Sequence, residues 1–351
     1  MRNKIIMMVL SVALIVSLAV VGCAKPAPAP APAPEKAQPV TIRLTTDTPD
    51  VMPQGVAATW FGEELERRIP GSEGKIYNAS SLYNNPDSLE AMKAGNLEFC
   101  WATASKTAGI LPQVLSLRLP ALFSTYEQAL AIPQTDLGKY LESAAAEKGF
   151  VCLGWGILSP YIGIATKERL LTIDDWPGKK VRCYEKALQT LEAELAGASP
   201  IVMPWGEFVP SVQSGVVNAG FTSMSSWGPV KETVPYFTCF GLIPDYYLFL
   251  AAEKWWNSLS PATREVIQEV VDQACAKQRD LQYESDMAAL DELGTKDPSK
   301  PGIYVLSAEE LEPYLDLWGE KVRDKAIQTI GAGGEEAIEL VIATSKELSG
   351  K

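Results

Sequence analysis

The sequence predicts an α/β protein built as two lobes, on three observations. First, residues 178–222 run as a short strand (180–183), a helix, an extended run (200–203), a second short helix closed by Gly215, and a small-residue strand (218–222). Leu188, Leu191 and Leu195 fall at i, i+3 and i+7 on the first of these helices, and Gly197 stops it. Strand and helix in quick alternation are the pattern of a parallel sheet covered by helices. Second, 351 residues exceed what one ordinary hydrophobic core encloses. Third, 47% hydrophobic against 21% charged residues is the balance of a globular chain, not a disordered one.

Composition removes several function classes. The chain has no histidine, which excludes Ser-His-Asp and Cys-His catalysis and most zinc sites. With 31 basic and 43 acidic residues the net charge is −12, against nucleic-acid binding. One buried arginine can still act locally on a small anion. Cys100, Cys152, Cys183, Cys239 and Cys275 show no CxxC pair; they read as buried thiols, with a disulfide among them left open.

The amino terminus reads as a targeting segment. Arg2 and Lys4 precede an apolar run (5–21), and Val20-Val21-Gly22 lead into Cys23. This is a secretory signal (1–22) with a lipobox, in which Cys23 is lipidated; a membrane-spanning anchor is the alternative. Residues 23–39 form the lipidated cysteine and an Ala-Pro tether, extended and without a core.

From residue 40 the elements follow in order. A strand (41–45) ends in the polar loop Thr46-Asp47-Thr48-Pro49, and a helix (56–69) stops at Pro70-Gly71. A strand (75–78) follows, then a helix capped by Asn85 with Pro86 in its first turn, and an alternating strand through Leu97, Phe99 and Trp101. A helix (136–148) leads to a strand (150–155) expected to cross into the second lobe, and residues 234–250 are expected to return to the first. Ser260-Pro261 opens a helix of more than thirty residues, Ser307 to Glu310 form a capping box, and the last helix (335–348) reads as peripheral.

Ligands of parallel sheets bind beyond the carboxyl ends of the strands, where Arg182, Trp205 and Thr222 fall. A guanidinium offers two parallel donors to a carboxylate, so Arg182 is the candidate clamp. A salt bridge of Arg182 with Glu185 or Glu207 is the competing reading.

The ordered set GKKVR, AGASPIVMPWGEF and SVQSGVVNAG, with SSLYNNPDSLEAMKAGNLEF and LSLRLPALFSTYEQA before it, resembles the solute-binding proteins of tripartite ATP-independent periplasmic (TRAP) transporters, DctP type. The likeness covers almost all of residues 41–290. It implies a two-lobed periplasmic-binding-protein-like fold of class II type, with a hinge and a long helix bracing both lobes. Lobe I would be 40–150 plus about 235–260, lobe II 151–234, the bridging helix 260–294 and the C-terminal helices 295–351. The implied site adds an aromatic role for Trp205, pocket positions at Trp101 and Thr103, and hydrogen-bonding groups at Thr222 and Ser223. Thr46, Asp47, Tyr161 and Trp227 complete the candidates. Asp245 is the carboxylate nominated should a metal ion accompany the acid, although no metal or other cofactor is expected. The family often keeps a second arginine just after the strand at 150–155; here Leu158 to Ile162 contain none. That departure favours a monocarboxylate, or an acid with an apolar or aromatic body.

The function implied is extracytoplasmic capture of a small organic acid and delivery to TRAP permease subunits, from the periplasm or the outer face of the cytoplasmic membrane. A secreted hydrolase or lyase with two interlobe carboxylates is the alternative, and no tight carboxylate pair supports it. A surface scaffold would show repeats, and there are none.

Overall fold

The computed structural model describes residues 36–120 and 122–350. The expected signal, Cys23 and nearly all of the expected tether lie outside the described residues. Eleven strands occur among them: β1 (Thr41–Thr46), β2 (Glu73–Tyr77), β3 (Phe99–Thr103), β4 (Phe150–Ile157), β5 (Tyr161–Thr166), β6 (Lys180–Cys183), β7 (Ser199–Val202), β8 (Ala219–Ser223), β9 (Tyr236–Leu242), β10 (Tyr246–Ala252) and β11 (Gly302–Val305). They form two sheets, ordered β2-β1-β3-β10-β4 and β11-β9-β5-β8-β6-β7. In each, parallel strands meet an antiparallel insert: β10 runs against β3 and β4, and β5 runs against β8 and β9.

Each sheet centres one lobe. In the first, Ile42, Leu44, Phe99, Trp101 and Phe249 pack on Phe61 and Leu65 of the helix Pro53–Arg68. In the second, Phe208, Val212, Trp227 and Phe237 close one face. Trp176, Phe240, Tyr314 and Trp318 close another, with ring centroids 4.9–6.3 Å apart. Offset and edge-on rings at this spacing add attraction beyond buried area.

The chain crosses between sheets at residues 158–160 and 243–245. Leu158 N donates to Asp245 O (2.9 Å) and Ile243 N to Pro160 O (2.8 Å), so the two crossings are tied together as one hinge. Both lie later than the sequence suggests. The strand at 150–157 stays in the first sheet, and β9 belongs to the second, which moves the lobe boundaries from 151 and 235. The apolar runs there carry past 151 and 235, and the breaks fall at Pro160 and Pro244.

The third connection is the helix Pro261–Leu293, capped by Ser260, whose hydroxyl accepts from Thr263 N (3.2 Å). Its first half buries Ile267, Val270, Val271 and Ala274 in the first-lobe core. Its last turns pack Ala289, Leu290 and Leu293 on the second. One rigid rod therefore touches both lobes, as the sequence predicts.

Two local expectations change. The cap of the helix Asn85–Lys93 is Asn84, not Asn85: Asn84 Oδ1 accepts from Asp87 N (3.1 Å). The last helix, Gly334–Leu348, is not peripheral, since it buries Ala337, Ile338 and Val341 in the core.

Candidate functional site

Arg182 is the third residue of β6, paired with Ile201 of β7 and Gly220 of β8. Its neighbours Val181 and Cys183 are fully buried, which fixes the strand. Gly220 is required here: a Cβ would stand 2.4 Å from the Phe208 ring, which fills that space. The Arg182 guanidinium is held by two backbone acceptors, Nε donating to Met203 O (3.1 Å) and Nη1 to Phe221 O (2.8 Å). Among the described residues no carboxylate pairs with it, so neither Glu185 nor Glu207 is its partner. Glu185 instead accepts from Ala187 N, Leu188 N (2.6 Å) and Gln189 N (3.1 Å), at the start of the following helix.

Arg182 is only 2% exposed. Burial pulls its pKa down to about 10, so it remains a cation at neutral pH. Its charge lies against aromatic faces: Cζ is 5.3 Å from the Tyr184 centroid, 5.5 Å from Trp205 and 6.0 Å from Phe208. Trp205 stacks on Phe208 with centroids 5.5 Å apart. A buried cation without a counter-charge is costly, and an anion arriving from outside removes that cost.

The first lobe faces it with a small polar cluster. Asp47, just past β1, accepts from the Thr103 hydroxyl at the end of β3 (3.0 and 3.1 Å) and forms an ion pair with Lys106. These groups and Arg182, Trp205, Thr222 and Ser223 line one cavity of about 40 Å³. It adjoins a cleft of about 1140 Å³ and shares Asp47, Pro49, Lys106, Tyr184 and Trp205 with it. Ser223 Oγ also accepts from Ser226 N (3.4 Å) and donates to Ser226 Oγ (2.9 Å), starting the turn that follows β8.

Five candidates are not at the cavity. Trp101 shares a side of β3 with Phe99 and packs in the first-lobe core, its centroid 5.0 Å from Phe249; only Thr103, at the strand's last position, reaches the cleft. Thr46 is buried and donates to Asn78 Oδ1 (2.7 Å), closing the loop after β1. Trp227 is a second-lobe core residue whose Nε1 donates to Val234 O (2.7 Å). Tyr161 packs at the hinge against Tyr126, with centroids 6.3 Å apart. Asp245 spends its oxygens on Ser105 N (3.2 Å), Ser105 Oγ (2.5 Å) and Tyr246 N (2.9 Å), locking the hinge to the first lobe rather than offering metal ligands. Among the described residues no group of three or more His, Cys, Asp or Glu could hold a metal ion.

Met52, Lys106, Leu158, Tyr184, Ser226 and Tyr247 also line the cavity and were not singled out from sequence. Lys106, Leu158, Tyr184 and Ser226 carried a usable signal: each lies within three residues of a strand's carboxyl end. Met52, just before a helix, and Tyr247, within β10, carried none.

Two sheets tied by a double crossing, with a guanidinium that pairs with no acid among the described residues where they face each other, define a two-lobed solute receptor. The chain belongs to the bacterial extracellular solute-binding proteins, family 7 (DctP), which it matches over residues 45–327. It is thus a solute-binding protein of the TRAP type and a transport component, not an enzyme. It is 28% identical over 248 residues to a solute-binding protein of Chromohalobacter salexigens, covering 69% of this chain and 73% of that one. It is 25% identical over 321 residues to the C4-dicarboxylate-binding periplasmic protein DctP of Rhodobacter capsulatus, covering 89% and 92%. Among solved structures, the sugar acid binding protein of Advenella mimigardefordensis in complex with galactonate superposes with TM-score 0.80 at 23% identity, over 89% of this chain and all of the other.

Proposed function

We propose that this chain captures a small organic monocarboxylate between its lobes at Arg182 and delivers it to the membrane subunits of a TRAP transporter. One observation carries the reading: a guanidinium 2% exposed, oriented by two backbone carbonyls and lacking an acid partner among the described residues. Charge supports a single carboxylate. Lys106 and Asp47 offset each other in their ion pair, leaving Arg182 as the uncompensated charge of the cavity. Trp205 and Tyr184 supply faces for an apolar or aromatic body.

A sugar acid is the second reading. The hydroxyls of Thr222, Ser223 and Ser226 and the Asp47–Thr103 pair could serve the hydroxyls of such a ligand. The Advenella relative was solved with galactonate, and the Rhodobacter relative is a C4-dicarboxylate binder.

We further propose that the mature chain is tethered through a lipid on Cys23 at the outer face of the cytoplasmic membrane, on the strength of the sequence Val20-Val21-Gly22-Cys23. Metabolic labelling with a radioactive fatty acid should mark the native chain, and Cys23→Ala should abolish the label.

The site is tested by a thermal-shift screen of the mature protein with sodium salts of aliphatic, aromatic, hydroxy and dicarboxylic acids. Monocarboxylates should raise the melting temperature, and the Arg182→Ala protein should fold but lose the shift. Stabilisation by succinate and not by monocarboxylates would overturn the single-carboxylate reading. Unchanged shifts in Arg182→Ala would overturn the site.

A further inference from the structure

Arg118 lies outside the cavity and is buried with few hydrogen bonds. It ends the tight helical segment Pro112–Arg118 of the first lobe and is 3% exposed. Among the described residues no acid pairs with it directly, although the charges of Asp245, Glu192 and Glu185 favour its cationic form. Its Nε makes no hydrogen bond, and its Nη1 reaches one acceptor, Ile243 O in the hinge, at a long 3.4 Å. A fold seldom keeps an under-bonded guanidinium in its interior unless that cation does something else.

Its other neighbour is the ring of Tyr184. Arg118 Cζ lies 5.8 Å from that ring's centroid, and Lys106 Nζ lies 5.9 Å from it. Both cations belong to the first lobe. Tyr184 is the first residue beyond β6 of the second lobe, and Arg182 Cζ lies 5.3 Å from the same centroid. One ring therefore meets the acid-binding guanidinium of its own lobe and two cations from across the boundary. The Tyr184 hydroxyl is buried without a hydrogen bond, so the ring, not the hydroxyl, makes these contacts. The face of an aromatic ring attracts cations; with Lys106 offset by Asp47 and Arg118 near Asp245, Glu192 and Glu185, the ring is the contact that Arg118 and Arg182 share.

We propose that Arg118 is a positioning residue for the acid site: across the lobe boundary it holds the Tyr184 ring, and through that ring it fixes the Arg182 guanidinium. The two backbone acceptors of Arg182 lie in its own lobe, so the Tyr184 ring, held from the first lobe, adds a second restraint on the same guanidinium. The proposal rests on Arg182 being the group that takes the acid. It requires Tyr184 as a ring and Arg118 as a cation.

The test needs no ligand. In the nitrogen–proton NMR spectrum of the mature protein, the Arg182 Nε–H signal is assigned by its loss in Arg182→Lys. In Arg118→Met this signal should move and exchange with water about tenfold faster, with the backbone spectrum otherwise preserved. Arg118→Lys, which keeps a cation over the ring, should restore most of the protection. Identical shift and exchange of Arg182 Nε–H in a folded Arg118→Met protein overturns the proposal, as does a failure of lysine to restore protection. Should Arg118→Met not fold, the Tyr184 pair decides: Tyr184→Leu should release the Arg182 signal and Tyr184→Phe should leave it in place, and equal behaviour of the two overturns the idea. Because these readouts are taken without acid, a wild-type protein that binds no carboxylate would remove the proposed function while the coupling is judged separately.

Discussion

Gln278 grips Ile157 with both ends of its side-chain amide. Its Oε1 accepts from Ile157 N (2.8 Å) and its Nε2 donates to Ile157 O (2.9 Å). Strand β4 is the edge of the first sheet, and at its last residue the long helix supplies the partner that a further strand would have given. Gly156 makes room for this, since a Cβ there would stand 2.5 Å from Gln278 Oε1. The hinge begins at the next residue, so the grip fixes where the first lobe ends.

Gln278→Leu should therefore destabilise the protein. It strands a buried N–H and a buried C=O, each worth about 1–3 kcal/mol when left unpaired. A loss of about 2–4 kcal/mol in urea unfolding is expected, with acid affinity changed far less. An unchanged unfolding midpoint would show that water or another group replaces the amide at no cost.

Gly220→Ala should damage stability and site together. Its new methyl would meet the Phe208 ring, which packs on Trp205 and lies beside the Arg182 guanidinium. Overpacking of this kind costs about 1–3 kcal/mol. Weaker thermal shifts with acids should accompany the lower melting temperature; full acid affinity at reduced stability would separate Phe208 from the site.

Asp286 provides the pH dependence. It is fully buried on the long helix beside the hinge, where Ser159 and Tyr126 face it and Gln282 Nε2 donates to its Oδ1 (3.1 Å). Its Oδ2 makes no hydrogen bond. Burial pushes its pKa from 3.8 up to about 7. A carboxyl whose folded pKa is raised contributes stability that is complete below its unfolded pKa and is lost as pH climbs through the folded one. Glu192, buried and pushed up to about 8, acts in the same direction. The melting temperature of the wild type should fall relative to that of Asp286→Asn between about pH 5 and pH 8. Parallel curves for the two proteins would show that Asp286 ionises as easily folded as unfolded.

Much of this was legible in the sequence, for reasons visible in particular residues. Arg182 and Thr222 could be placed because a short apolar strand leaves little doubt about where its carboxyl end lies, whereas Ser223 came from the resemblance. Asp47 followed from the polar loop at the carboxyl end of a first-sheet strand, and Thr103 from the resemblance. Aromatic residues defeated it: Trp101 and Trp227 lie near strand ends, but a large ring serves a core as readily as a pocket, and these two are buried among Phe249 and Phe237. The hinge was hidden because 150–157 and 246–252 are apolar runs that read equally well in either lobe. Which strand joins which sheet there depends on long-range pairing. Tyr184, Lys106 and Arg118 form a relationship only once the lobes face each other, and no local pattern records that.

The most direct measurement is a crystal structure of the mature protein with the acid that gives the largest thermal shift. The account predicts that the ligand carboxylate accepts from the Arg182 guanidinium, with the acid's body against Trp205 and the Nε and Nη1 bonds to Met203 and Phe221 retained. A carboxylate seated on Lys106 instead, or an Arg182 turned onto a carboxylate of the chain itself, would contradict it.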